Sequence, residues 1–155
     1  MIEPTCFGKT EKQETVTCYT LRNENKVSVS VLDFGAIIHS IQTPDRKGRV
    51  KEITLGYDTL DQYQELNQYF GAFVGRFANR ICNGRFSLKN QVYHVSKNDG
   101  SHHLHGGFSG FDQKVWDSKI VEEDGEKLCL TLFSPDGEEG FPGNVDVKIT
   151  YALTR

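Results

Sequence analysis

Cysteine, methionine, tryptophan and proline are scarce in these 155 residues: four Cys, one Met, one Trp and four Pro. The four cysteines, Cys6, Cys18, Cys82 and Cys129, contain no C-x-x-C pair. A zinc ribbon or a disulfide framework is therefore not expected, and reduced, mostly buried thiols in the cytoplasm are. No apolar run approaches the ~18–20 residues of a membrane span. The opening Met1-Ile-Glu-Pro-Thr-Cys6 has an acid and a proline where a secretory leader would be basic and then apolar. Neither charge sign dominates: 18 Lys and Arg stand against 21 Asp and Glu, a net charge of -3, with the basic residues scattered. Nucleic acid and an anionic membrane are thus not expected as partners.

Glycine and aromatic residues are plentiful, with 15 Gly, 10 Phe and 6 Tyr. The glycines punctuate short apolar alternations of period two, a pattern of many strands joined by tight turns. Strands are expected over Val16–Leu21, Val27–Val31, Ala36–Thr43 and Val50–Tyr57. Phe86–Leu88 and Val92–Val95 read as a hairpin around Lys89-Asn90-Gln91, and Val115–Val121 and Leu128–Phe133 as a hairpin at Asp124-Gly125. The clearest alternation is the last, with Val145, Val147, Ile149, Tyr151 and Leu153 on one face. A short helix over Leu60–Leu66, capped by Asp58 or Thr59, is the one helical expectation. The fold class is all-β, a sandwich or barrel, with no internal repeat.

Three groups of residues carry chemistry. Three of the five histidines crowd into Asn98-Asp-Gly-Ser-His-His-Leu-His-Gly-Gly107. His103 and His105, two apart, project from one face of an extended segment. A polar loop, a cupin-like metal site and a proton-transfer site all fit that pattern, although no carboxylate follows at cupin spacing. Gly106-Gly107 would let a small ligand approach backbone. The second group is Arg76, Asn79 and Arg80, donors and acceptors suited to a ring of hydroxyls. Asn79 and Arg80 can share a ligand only at a bulge or strand end. The third is the acidic loop Ser134–Gly143, whose Asp136, Glu138 and Glu139 are either paired carboxylates or solvated acids on a rigid turn.

Gly75-Arg-x-Ala-Asn-Arg-Ile81, Leu104-His-Gly-Gly107, Gly110-Phe-Asp112 with Trp116, and Ser134-Pro-Asp-Gly-Glu-Glu-Gly-x-Pro-Gly143 occur in that order. Together they resemble the galactose mutarotases, or aldose 1-epimerases, over nearly the whole chain. The resemblance implies a large antiparallel β-sandwich holding a free aldohexose such as galactose or glucose, with no metal and no organic cofactor. It implies that His105 contacts the ring oxygen and that Asn79 and Arg80 contact sugar hydroxyls. His102 and His103 have no implied role in the site, although His103 could lie behind it.

The family's second histidine lies in a Thr-Asn-His-x-Tyr-Phe-Asn stretch that has no counterpart in this sequence, and its glutamate base comes still later; Glu138 and Glu139 do not match it. The chain therefore corresponds to the first half of the family's domain. It is expected to be a weak or inactive mutarotase alone, or a non-catalytic sugar-binding relic or partial product. An unpaired edge on the last strand would invite self-association.

Overall fold

A computed structural model describes residues 1–66, 68–122 and 125–154. Among these, twelve strands and one α-helix are found, joined by three short 3-10 turns. Five strands, β1 (Ile2–Lys9), β2 (Thr15–Arg22), β3 (Ser28–Leu32), β4 (Ile38–Pro44) and β5 (Val50–Glu52), form one antiparallel sheet in chain order. The short pair β6 (Arg80–Ile81) and β9 (His103–Leu104) and the hairpin β7 (Arg85–Leu88) with β8 (Gln91–His94) come between this sheet and a second one in chain order. That second sheet is an antiparallel meander of β10 (Asp117–Val121), β11 (Lys127–Ser134) and β12 (Val145–Ala152). The all-β expectation holds.

The two larger sheets are packed face to face, which makes the fold a sandwich. In β2 alternate residues face opposite ways: Leu21 joins Ile2, Val31, Trp116, Leu128 and Leu130 between the sheets, whereas Val16 and Cys18 join Leu32, Phe34, Leu60 and Tyr63 on the other side. The helix α1 (Leu60–Leu66) covers that second face with its two buried residues, Leu60 and Tyr63. Its start is a capping box: the Gln62 amide donates to Thr59 Oγ1 at 3.4 Å, and the Gln62 side chain accepts from the Thr59 N–H at 3.2 Å. Val147, Ile149 and Tyr151 of β12 pack onto the inter-sheet core, as their alternation predicts. No helix among the described residues is long and apolar enough to cross a membrane.

Several local expectations change. Strand β1 has no period-two signal because it is an edge strand with nearly all its residues exposed or half-exposed, where Pro4 costs no ladder bond. The strand expected over Val50–Tyr57 ends at Glu52. There the Glu52 carboxylate accepts from the Ile41 and Thr54 amides at 3.0 and 2.9 Å in place of a continuing ladder. Ala36, at φ 46°, turns the chain before β4, so Ala36 and Ile37 are core residues outside the strand. Of the cysteines, Cys18 and Cys129 are buried, Cys6 and Cys82 are exposed, and all four are free. The turn expected at Asp124-Gly125 includes residue 124, outside the described residues.

Candidate sugar-binding site

The site is built where β6 meets β9. Arg80 pairs with Leu104 and Ile81 with His103, and both chains leave this short ladder through left-handed residues, Asn79 at φ 66° and His105 at φ 51°. The two residues then bond to each other twice: the His105 N–H donates to the Asn79 carbonyl at 3.1 Å, and the Asn79 N–H donates to His105 Nδ1 at 2.9 Å. An amide N–H is a donor only, so Nδ1 is the accepting nitrogen and the proton of the neutral ring sits on Nε2. His105 thus presents an N–H donor away from the backbone. Arg80 follows directly, its Nε bonded to Asp99 Oδ2 at 2.6 Å. Among the described residues no hydrogen bond engages its two terminal nitrogens, which are free for hydroxyl oxygens. Asn79 and Arg80 are therefore placed at a strand end, the arrangement under which they can face one ligand.

Tyr69 completes this surface and carried no motif. It is left-handed at φ 58°, and its ring lies 4.6 Å from that of His105, between centroids. Burial, together with the Asp112 and Asp99 carboxylates, pushes its phenol above the usual range, so it stands as a neutral O–H. Three left-handed non-glycine residues, each costing roughly 1–3 kcal/mol, converge on this one surface. No interval in the sequence gives that juxtaposition away; only the aromatic type of Tyr69 does.

The other histidines go elsewhere. His103 is fully buried, and its ring lies edge-on to Phe141 at 5.1 Å. Its Nδ1 donates to the Ser96 carbonyl at 2.9 Å. His102 Nδ1 accepts from the Asn83 amide at 3.1 Å. The expectation that His103 and His105 share one face fails, because β9 ends at Leu104 and His105 turns out of it. The three imidazoles do not converge on one point, and no group of three or more His, Cys, Asp or Glu placed to hold a metal occurs among the described residues.

The donors of Arg76 are taken up by the protein. Its guanidinium donates to Ser134 Oγ and to the carbonyls of Ser134, Pro135, Pro142 and Gly143, at 2.7 to 3.2 Å. It fastens the segment before β6 to the β11–β12 loop. The acids of that loop are bonded to protein groups and are not merely solvated. Glu139 accepts from the Phe108 and Ser109 amides at 3.2 and 2.8 Å, while Glu138 is bound by Lys114 and Ser134. Burial alone would raise the Glu138 carboxyl, but the Lys114 and Ser134 bonds win and hold it below the ordinary carboxylate range. Asp136 accepts from the Gly143 amide.

Gly106 and Gly107 are closely approached by protein groups. A Cβ on Gly106 would lie 1.7 Å from the Gly75 carbonyl oxygen, and one on Gly107 would lie 2.1 Å from Glu139 Oε2. An open hollow of about 430 Å3 beside Arg80 is lined by Phe77, Ile81, Phe86 and Phe141 with the stems of Arg76 and Arg80. Four of its six lining residues are apolar, and Asn79 and His105 do not line it. The polar surface of Tyr69, Asn79, Arg80 and His105 is an open wall.

Known proteins resemble this chain throughout. Residues 17–155 match the family model described as aldose 1-epimerase. An aldose 1-epimerase of Haemophilus influenzae is 42% identical over 155 residues, 99% of this chain and 44% of that protein. The mouse galactose mutarotase is 40% identical over 139 residues, 90% of this chain and 40% of its own. A crystal structure of galactose 1-epimerase from Lactobacillus acidophilus superposes with a TM-score of 0.83 at 28% identity, covering 97% of this chain and 44% of that one. The chain spans less than half the length of these relatives. From Thr17 onward, through sandwich, Asn79-Arg80 strand end and His105 turn alike, this chain belongs to the aldose 1-epimerase family.

Proposed function

We propose that this chain forms one wall of an aldose 1-epimerase site, which binds a free aldohexose such as galactose or glucose and acts on its anomeric carbon. Mutarotation requires a proton to leave the anomeric hydroxyl while another reaches the ring oxygen; the ring then opens, the C1–C2 bond rotates, and closure gives the other anomer. The observation that carries the reading is the reciprocal pair of hydrogen bonds between Asn79 and His105, which aims an Nε2–H donor outward. A ring oxygen is a suitable acceptor for it. The Asn79 amide and the Arg80 terminal nitrogens supply donors and an acceptor for neighbouring hydroxyls, and Tyr69 offers an aromatic face beside them.

Complete proton transfer needs an acid and a base that this wall does not hold. Asp99, bonded directly to this wall, is tied to Arg80. The Thr-Asn-His stretch and the later glutamate implied by the family resemblance have no match in the sequence. In this reading the chain is the N-terminal part of one aldose 1-epimerase domain. It binds sugar and, alone, accelerates mutarotation weakly. No metal or organic cofactor enters the reading.

Polarimetry of freshly dissolved α-D-galactose tests it: the decay with the chain is expected close to that in buffer, and a strong acceleration abolished in His105→Asn would refute the weak-catalyst reading. The four unbridged cysteines support a reducing compartment such as the cytoplasm. The outer edge of β12, unpaired among the described residues, is the place for self-association. Concentration-dependent sedimentation checks it; a monomer at all concentrations would refute it.

A further inference from the structure

His105 occupies a conformation it would not choose. It is the first central residue of the turn Leu104–Gly107, closed by the Gly107 N–H donating to the Leu104 carbonyl at 3.1 Å. Both central residues have positive φ, 51° at His105 and 93° at Gly106. A turn of this hand favours Asn or Gly at its first central position, and an imidazole there persists only where its surroundings hold it.

One side chain does most of the holding. Asn98, in the segment that follows β8, accepts the Leu104 N–H on Oδ1 at 2.7 Å. Its Nδ2 donates to the Leu104 carbonyl at 2.8 Å and to the Gly107 carbonyl at 3.1 Å. It therefore grips both polar backbone groups of the residue before His105 and the carbonyl two residues after it. Only one orientation of the amide satisfies all three bonds, because its oxygen must meet the N–H and its nitrogen the two carbonyls. A carboxylate in its place would meet two carbonyl oxygens with no proton to offer, and a hydroxyl has a single donor. The next residue, Asp99, holds Arg80. Residues 98 and 99 thus brace two of the three sugar-facing residues from behind.

We propose that Asn98 is a positioning residue for His105: it clamps the left-handed turn so that Nδ1 stays under the Asn79 amide and Nε2–H points at the sugar. Asn98 need touch no substrate. The assignment concerns the state of the His105 ring, and only its consequence for affinity rests on the sugar-site reading.

The test is ring-nitrogen NMR of the full chain labelled with 15N-histidine, on wild type, Asn98→Ala and Asn98→Asp. Asn98→Asp keeps the acceptor for Leu104 but sets a carboxylate oxygen against the Leu104 and Gly107 carbonyls, whereas Asn98→Ala removes all three bonds without adding that repulsion, so the pair separates loss of the clamp from added strain. In the wild type His105 should show one proton-free nitrogen and one protonated nitrogen, assigned as Nδ1 and Nε2. In both variants the two signals should move toward a tautomer average, and hydrogen exchange at the Asn79 amide should quicken at least tenfold. The His103 signals, governed by Ser96, should not move. Wild-type behaviour of His105 and Asn79 in both variants would overturn the proposal. So would loss of the His103 pattern together with that of His105 in both, which would make Asn98 a general stabiliser of the fold. Galactose titration is the second readout, with affinity expected to fall about tenfold in Asn98→Asp. Absence of galactose binding in the wild type would defeat the sugar reading alone, and the ring-nitrogen spectra would still decide the role of Asn98.

Discussion

Replacing Arg76 separates a structural arginine from a ligand-reading one. The guanidinium makes five hydrogen bonds across 58 or more residues of chain, to Ser134 Oγ and to four carbonyls. A hydrogen bond in a folded protein contributes a net ~0.5–1.5 kcal/mol, and more where one partner is charged. Arg76 is half-buried and water can reach part of the vacated site, so roughly 0.5–1 kcal/mol per bond is the appropriate range. Arg76→Ala should then lose roughly 2.5–5 kcal/mol, a fall in Tm of about 5–20 °C for a domain of this size. Arg76→Lys should lose roughly half as much, since one ammonium cannot reach both the Ser134 end and the Pro142-Gly143 end. The assay is urea and thermal unfolding followed by circular dichroism, paired with galactose titration of the folded Arg76→Lys chain, whose affinity should stay within about twofold of wild type. A stability loss below ~0.5 kcal/mol accompanied by a tenfold loss of affinity would overturn the structural role and assign Arg76 to the ligand.

Two other substitutions test neighbouring parts of the account. Gly106→Ala puts a methyl 1.7 Å from the Gly75 carbonyl oxygen at a backbone φ of 93°, so it should cost more than ~3 kcal/mol or prevent folding; a urea midpoint like that of wild type would contradict the close approach. Tyr151 donates to the Ala36 carbonyl at 2.7 Å, and burial pushes its phenol up to about 12 from the ordinary value of 10. The unfolded chain therefore loses this proton first. The contribution of Tyr151 is intact below pH ~10 and declines between about pH 10 and 12, by roughly 3 kcal/mol at most. Urea midpoints from pH 8 to 11 should fall less steeply in Tyr151→Phe, and identical slopes would count against the burial.

The parts of the fold legible in the sequence are those whose pattern is local. The alternation from Val145 to Leu153 places β12 on the core, and Thr59 with Gln62 encloses the start of the helix in a box three residues wide. The hairpin around Lys89-Asn90-Gln91 turns on Lys89 and Asn90, both at positive φ. Strand β1 was not legible, since an exposed edge carries no apolar period. At the site, residue types offered Arg76, Asn79, Arg80 and the histidine cluster, the family resemblance narrowed these to Asn79, Arg80 and His105, and the structure brings those three to one strand end. The neighbours that give them their geometry were not legible, because those interactions join segments far apart in the chain. Arg76 meets Ser134, Glu139 meets Ser109, and Tyr69 meets His105 across 36 residues of chain. The same distance effect hid the reason for Gly106 and Gly107, whose missing side chains admit Gly75 and Glu139.

In the proposed function this wall binds an aldohexose through Asn79, Arg80 and His105 while lacking the groups that move protons quickly. Ligand-observed NMR of freshly dissolved α-D-galactose reads both halves of it, since saturation transfer reports bound sugar and the same spectra follow conversion of the α to the β anomer. The expected result is saturation transfer in the wild type that is lost in His105→Ala, with anomer conversion close to its rate in buffer. No saturation transfer in the wild type, or rapid conversion that disappears with His105, would contradict it.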